Sequence, residues 1–114
     1  LANLLHAREL ARRLRGSGAT ANALHPGVIQ TNLARDAGGL MTAAMGILAR
    51  PIQKTVEQGA ATQCYVAAHP AVAGVSGAYF ADCAEARTSA WGRDEDLAAA
   101  LWRESERLAE GYLP

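Results

Sequence analysis

The stretch His25-Pro26-Gly27 is where residue types and spacing in this sequence could serve chemistry. It ends a short, mostly apolar run, residues 19–25, whose length suits a buried strand. Proline fixes the turn and removes a backbone donor, and glycine lets the backbone come close to a flat ligand. Ligands of open parallel sheets bind just past the carboxyl ends of strands. The stretch therefore predicts a binding site, although Pro-Gly after a strand is also typical of an ordinary turn.

The residues that follow Gly27 offer partners for an amide. Once the chain has left the sheet, the backbone groups of Val28 and Ile29 are free to face outward. Thr31 adds a hydroxyl that can both donate and accept a hydrogen bond. A ring that carries a carboxamide, as nicotinamide does, needs partners of this kind. We therefore predict that this segment contacts such a ring.

Composition and charge exclude several classes of protein. The chain has 114 residues, and its 11 basic and 11 acidic residues give a net charge of zero. This balance does not suggest binding to nucleic acid or to an acidic membrane. No apolar run approaches the ~18 residues that a membrane-spanning helix needs. One basic cluster is interpreted as a solvated helix face, with phosphate contact as the alternative: Arg8, Arg12, Arg13 and Arg15.

The cysteines and histidines show no spacing typical of a bridge or a metal site. Cys64 and Cys83 are predicted to be free thiols in a reducing compartment, which favours a cytoplasmic location. His6, His25 and His69 are scattered without ligand spacing. We therefore predict no metal site.

The order of elements predicts an α/β fold. Hydrophobic periodicity and turn residues indicate a helix over 1–15, a strand over 19–25, a helix over 55–68, a strand over 75–80 and a last helix from near Asp94. Two short strands cannot form a stable sheet alone, and both would be edge strands. Since the chain also begins inside a helical pattern, we expect it to be a piece of something longer.

Each helix carries a face that predicts its packing. In the first helix, Glu9 lies on the polar side. The second helix begins with a capping box from Thr55 to Gln58. Its small apolar residues suit close packing on a sheet: Val56, Ala60, Ala61, Cys64, Tyr65 and Ala68. The buried side of the last helix is predicted to consist of Leu97, Leu101, Trp102, Leu108 and Tyr112.

Four segments, in this order and at this spacing, resemble the C-terminal part of a short-chain dehydrogenase/reductase. They are LANLLHARELARRL, ALHPGVIQTNL, TVEQGAATQCYVAAHP with SGAYFADC, and ALWRESERLAEGY. The first resembles the helix after the family's catalytic Tyr-x-x-x-Lys, and the second its Pro-Gly-x-[Val/Ile]-x-Thr segment. The branch that the chain resembles is that of retinol dehydrogenases and WW-domain oxidoreductases. Residues 1–114 would then be a single partial domain, the C-terminal half of a Rossmann-like doubly wound parallel sheet.

The resemblance implies an NAD(P)-dependent oxidoreductase that interconverts an alcohol and a carbonyl. It assigns cofactor binding to Pro26, Gly27, Val28, Ile29 and Thr31, and the branch slightly favours NADP over NAD. Helices such as 1–15 and 55–68 pair across subunits in many relatives, which allows a homo-oligomer.

The resemblance also implies a substrate-binding loop, and the composition of residues 40–48 fits one. This stretch is apolar on nearly every side and too short to be a stable helix alone, which favours a partly helical lid. The loop residues that the resemblance assigns to the substrate are Leu40, Met41 and Met45. They indicate a small lipophilic substrate, although methionines on such a loop are also common in simple packing.

The chain departs from the family in ways that bear on catalysis. It lacks the glycine-rich phosphate loop, the Asn-Ala-Gly stretch and the catalytic serine, tyrosine and lysine. We therefore assign it no catalytic residue and expect the 114-residue chain alone to be inactive. The alternative is a non-catalytic truncated product that acts as an interaction module through its strand edges and apolar loop. The retained Pro-Gly-x-Ile-x-Thr segment argues against that alternative.

Overall fold

The computed structural model describes residues 1–27 and 54–112, which form three helices and a small sheet. Its elements are α1 (Ala2–Arg13), β1 (Ala23–His25), α2 (Val56–Ala68), β2 (Tyr79–Ala81), β3 (Ala84–Glu85) and α3 (Glu95–Ala109). Short 3₁₀ turns cover Pro70–Val72 and Trp91–Arg93. The predicted order of helices and strands is confirmed, and β3 is an addition that the sequence pattern did not reveal.

The three strands form a mixed sheet in the order β1-β2-β3. β1 runs parallel to β2, with Ala23 opposite Tyr79 and His25 opposite Ala81. β3 returns antiparallel to β2 through a two-residue turn. The arrangement is α/β and corresponds to part of a Rossmann-like fold. The prediction that both strands lie at an edge is wrong for β2, because β3 covers its second side.

The core lies between the sheet and α2. Phe80 is 3% exposed and contacts the Tyr65 ring, with 6.2 Å between the ring centroids. The other members of this cluster are Val72, Ala78, Leu24, Val66 and Val75. Apolar contacts between α2 and the parallel strands β1 and β2 therefore hold the helix on the sheet.

The predicted packing face of α2 is wrong except at Tyr65, which packs against the core. Val56 and Ala68 are exposed. Ala60, Ala61 and Cys64 are exposed, whereas Gly59 and Thr62 are buried. Gly59 has no side chain to hold the helix away, and the Thr62 hydroxyl has a hydrogen-bond partner beyond β2. Since a buried hydroxyl needs such a partner, this contact favours turning Thr62 inward.

α1 and α3 pack against each other through Trp102. The indole stacks on His6 at 4.7 Å between centroids, and the Arg13 guanidinium lies 4.5 Å from the ring centroid. Leu108 and Tyr112, predicted to be buried, are 65% and 89% exposed. They follow Glu106, which contacts Arg13 in the last turn of α1, and in the described residues α1 offers no further surface there.

Glu9 is buried, contrary to its predicted place on the polar side of α1. Only 3% of the residue is exposed. Its carboxylate accepts hydrogen bonds from Arg12 at 2.6 and 2.8 Å and from Arg13 at 2.8 Å. Hydrogen bonds from the two guanidinium groups, the larger effect coming from Arg12 and the next from Arg13, lower the pKa of Glu9 to about 2. A carboxylate paired in this way can lie inside the packing because two cations balance its charge.

The ends of the helices follow the sequence signals. The Thr55 hydroxyl accepts from the Gln58 amide at 3.2 Å, and the Gln58 side chain accepts from the Thr55 amide at 2.9 Å, as the capping box predicts. Asp94 caps α3 by accepting from the Leu97 amide. In the part of the chain that the structure describes, no helix has the length and apolar character needed to cross a membrane.

Candidate functional site

Pro26 and Gly27 lie directly past the carboxyl end of β1, as the sequence predicts. The Gly27 amide donates to His25 Nδ1 at 2.8 Å, which closes a tight turn on the strand end. Gly27 has φ +87°, a conformation that side-chain-bearing residues rarely adopt. The other predicted contact residues lie outside the described residues: Val28, Ile29, Thr31, Leu40, Met41 and Met45.

A second turn lies at the same edge of the sheet. Because β1 and β2 are parallel and His25 is opposite Ala81, the residues after both strands come side by side. The chain reverses into β3 through Asp82 and Cys83, with φ +54° and +58°. Positive φ at both central residues is typical of a two-residue hairpin turn, where glycine or asparagine is the usual choice.

Buried Thr62 holds this second turn in place. The Cys83 amide donates to the Thr62 hydroxyl oxygen at 3.3 Å, and the Thr62 side chain is almost completely buried in α2. The hairpin turn is thereby fixed to the helix beneath it. Both turns at this edge thus have defined backbone positions, which a binding site requires.

Lys54 joins the two turns, and sequence reasoning missed it. Its ammonium pairs with the Asp82 carboxylate. Its Cδ lies 2.8 Å from the place where a Cβ on Gly27 would be. The space above Gly27 is therefore occupied by the lysine side chain. One signal could have identified this residue, because it is the only lysine in the sequence.

The described groups at the carboxyl ends of β1 and β2 can bind and position a ligand, but no described tyrosine lies among them. Tyr65 packs in the core, Tyr79 lies within β2, and Tyr112 is exposed beyond α3. No tyrosine stands four residues before Lys54, where position 50 is an arginine. Among residues 1–27 and 54–112, no three His, Cys, Asp or Glu side chains form a group that could hold a metal ion.

Both cysteines are free in the structure. Cys64 is exposed on α2, and Cys83 is partly buried in the hairpin turn. The prediction of free thiols is therefore confirmed for the described chain.

A cleft of about 300 Å³ lies at the opposite end of the parallel strands, before the amino end of β2. It is bordered by α1, by the start of α3, and by Ser76 and Gly77 just before β2. The Pro26-Gly27 turn is not part of this cleft. The cleft and the Pro26-Gly27 turn are thus separate, one at each end of the parallel strands.

Comparison with known proteins gives consistent matches over nearly the whole chain. Short-chain dehydrogenase TIC 32 A, chloroplastic, of Brassica napus is 46% identical over 112 residues, which cover 96% of this chain and 35% of that protein. Retinol dehydrogenase 14 of Mus musculus is 45% identical over 114 residues, covering 93% of this chain and 32% of that protein. WW domain-containing oxidoreductase of Homo sapiens is 40% identical over 114 residues, covering 99% of this chain and 27% of that protein.

The chain spans between about a quarter and a third of the length of these curated relatives. No protein-family model matches it. The three relatives are nonetheless named as dehydrogenases or oxidoreductases, and the matches cover 93–99% of the chain.

Proposed function

The chain belongs to the short-chain dehydrogenase/reductase family, and we propose that its protein interconverts an alcohol and a carbonyl with a nicotinamide cofactor. The observation that carries the proposal is the 40–46% identity over almost every described element. One relative is named for retinol, which supports a small lipophilic alcohol as the substrate. Of the two nicotinamide cofactors, we favour NADP.

The geometry at the ends of β1 and β2 supports a nicotinamide site. Gly27 presents backbone without a side chain at the end of a parallel strand, where ligands of such sheets bind. The flexible Lys54 side chain fills the space beside Gly27, and a ring bound there would displace it. Pro26 and Gly27 would hold one face of the ring, and by resemblance Val28, Ile29 and Thr31 would meet its carboxamide. When bound, the nicotinamide supplies or accepts the hydride. The chain's own residues supply shape and hydrogen-bond partners.

Proton transfer is proposed to depend on residues other than these 114. A general acid or base has to reach the substrate oxygen, and the described tyrosines lie elsewhere in the fold. We therefore expect the isolated chain to bind cofactor weakly and to turn over no substrate. We further propose a cytoplasmic location and a homo-oligomer in which α1 and α2 contribute to the interface.

The test compares two glycines in the protein as its gene encodes it. Gly27 and Gly74 both have positive φ, but only Gly27 lies at the proposed site, and a Cβ on Gly74 would meet no atom within 4 Å. We expect Gly27→Ala to raise the KM for NADP by about tenfold, because the added Cβ would collide with Lys54 and take up space at the proposed ring site. Gly74→Ala should change this KM less than about twofold. Reduction of NADP and NAD is followed by absorbance with long-chain primary alcohols.

The outcomes separate this function from its alternative. Equal KM values in the two variants would place the cofactor elsewhere on the molecule. Failure of the full protein to bind either cofactor in titration would instead favour the interaction module. The feature that supports the module is the outer edge of β1, which has no partner strand in the described residues.

A further inference from the structure

We propose that the cleft between α1 and α3 binds a phosphoryl group carried by a small molecule. The cleft lies before the amino end of β2, at Ser76 and Gly77, whereas Pro26 and Gly27 follow the carboxyl end of β1. The two sites are thus at opposite ends of the parallel strands. This second site goes beyond the oxidoreductase activity and does not depend on it.

The charges that line the cleft favour an anion. Four arginines and three carboxylates border it: Arg8, Arg12, Arg15, Arg93, Glu9, Asp94 and Glu95. Glu9 is balanced by Arg12 and Arg13, and Asp94 accepts the Leu97 amide as the cap of α3. Within residues 1–27 and 54–112, no salt bridge involves Arg8, Arg15 or Arg93. The Arg93 guanidinium donates to the Thr88 carbonyl. The guanidinium groups of Arg8 and Arg15 therefore remain to meet an anion, with Glu95 as the carboxylate that opposes it.

Arg8 provides a second observation. Its Nε is buried, and it has no hydrogen-bond partner in the part of the chain that the structure describes. A buried donor of a charged group is costly when it lacks an acceptor. Arg8 also lines the cleft, so a turn of its guanidinium toward the cleft would let an anion bound there supply the missing acceptor. Guanidinium groups pair well with phosphoryl oxygens because two parallel N–H groups match two oxygens.

The size of the cleft limits the ligand. About 300 Å³ is at the small end of pockets that bind ligands. A phosphate or diphosphate on a small organic group fits this volume, whereas a complete dinucleotide does not. The cleft is consequently distinct in ligand class from the proposed nicotinamide site.

The experiment titrates inorganic pyrophosphate into the protein as its gene encodes it, without nicotinamide cofactor and at constant ionic strength. Calorimetry measures the dissociation constant. The first variant is Arg15→Gln, which removes an exposed guanidinium without an ion pair in the described residues and should leave the fold intact. The second variant is R8Q/R15Q. The matched control is Arg103→Gln, an exposed arginine of α3 that does not line the cleft.

We expect Arg15→Gln to weaken pyrophosphate binding by about tenfold and R8Q/R15Q by about a hundredfold, with less than a twofold change in Arg103→Gln. Glycerol 3-phosphate should compete with pyrophosphate if the phosphoryl group of a small molecule is the ligand. Absence of binding at millimolar pyrophosphate would overturn the proposal. Equal weakening by Arg15→Gln and Arg103→Gln would also overturn it, because general charge attraction would then explain the binding. None of these outcomes depends on dehydrogenase activity.

Discussion

A single carboxylate shows how charge and burial combine at the scale of a residue. Glu9 is buried in α1, yet its pKa is lowered rather than raised because two guanidinium groups donate to it. Helical periodicity assigned Glu9 to the polar side. The pattern could not show that Arg12 and Arg13, three and four residues later, would fold over the carboxylate and form a balanced cluster.

The first prediction concerns acid stability. The folded pKa of Glu9 is about 2, below its ordinary value of 4.5. Glu9 therefore stabilises the folded state above about pH 4.5, and this contribution is lost as the pH falls toward 2. We expect Glu9→Gln to lower the free energy of unfolding at pH 7 and to make that free energy less dependent on pH between these limits.

Urea unfolding at a series of pH values measures this effect. The control is Glu85→Gln, because Glu85 is exposed on β3 and forms no salt bridge within the described residues. A parallel pH dependence in the wild type and Glu9→Gln would show that the carboxylate is not paired in solution.

At the scale of an element, the β2–β3 hairpin has an unusual turn. Asp82 and Cys83 both have positive φ, although neither is glycine. The sequence signals for hairpins depend on Asn-Gly or Asp-Gly, so this turn and the short strand after it escaped prediction. The capped helix ends, by contrast, were predictable because each depends on a local side-chain contact, such as that of Thr55 with Gln58.

The second prediction follows from that turn. Replacing Cys83 with glycine removes the steric cost of a left-handed conformation, at the price of a more flexible unfolded chain. We expect Cys83→Gly to stabilise the protein by about 0.5–1 kcal/mol. Cys64→Gly is the matched control, because Cys64 is exposed within α2 and glycine should cost about 1 kcal/mol there. Thermal unfolding distinguishes the two, and destabilisation by both would contradict the turn geometry.

At the scale of the whole molecule, the sheet ends at an open edge. In the described residues β1 has a partner on one side only. The need for more strands was predictable from strand count and length, because two or three short strands bury little surface. The arginine-lined cleft was not predictable, since it depends on how α1 and α3 pack across residues distant in sequence.

The third prediction uses neighbouring amides of β1. The Ala23 amide donates to the Ala78 carbonyl at 3.0 Å, so the Leu24 amide points toward the open edge. In the isolated chain, hydrogen exchange at Leu24 should be at least about tenfold faster than at Ala23. A longer protein that adds a strand beside β1 should protect both amides. Equal protection of both in the isolated chain would mean that something else already covers this edge.

Lys54 gives the chain an unusual chemical property. Because the 114 residues contain no other lysine, an amine-directed reagent has one side-chain target among them, and that target lies over Gly27 and pairs with Asp82. Acylation would remove the positive charge and break the ion pair between the two turns. The labelling rate at this amine therefore depends on how often the ion pair between Lys54 and Asp82 is broken.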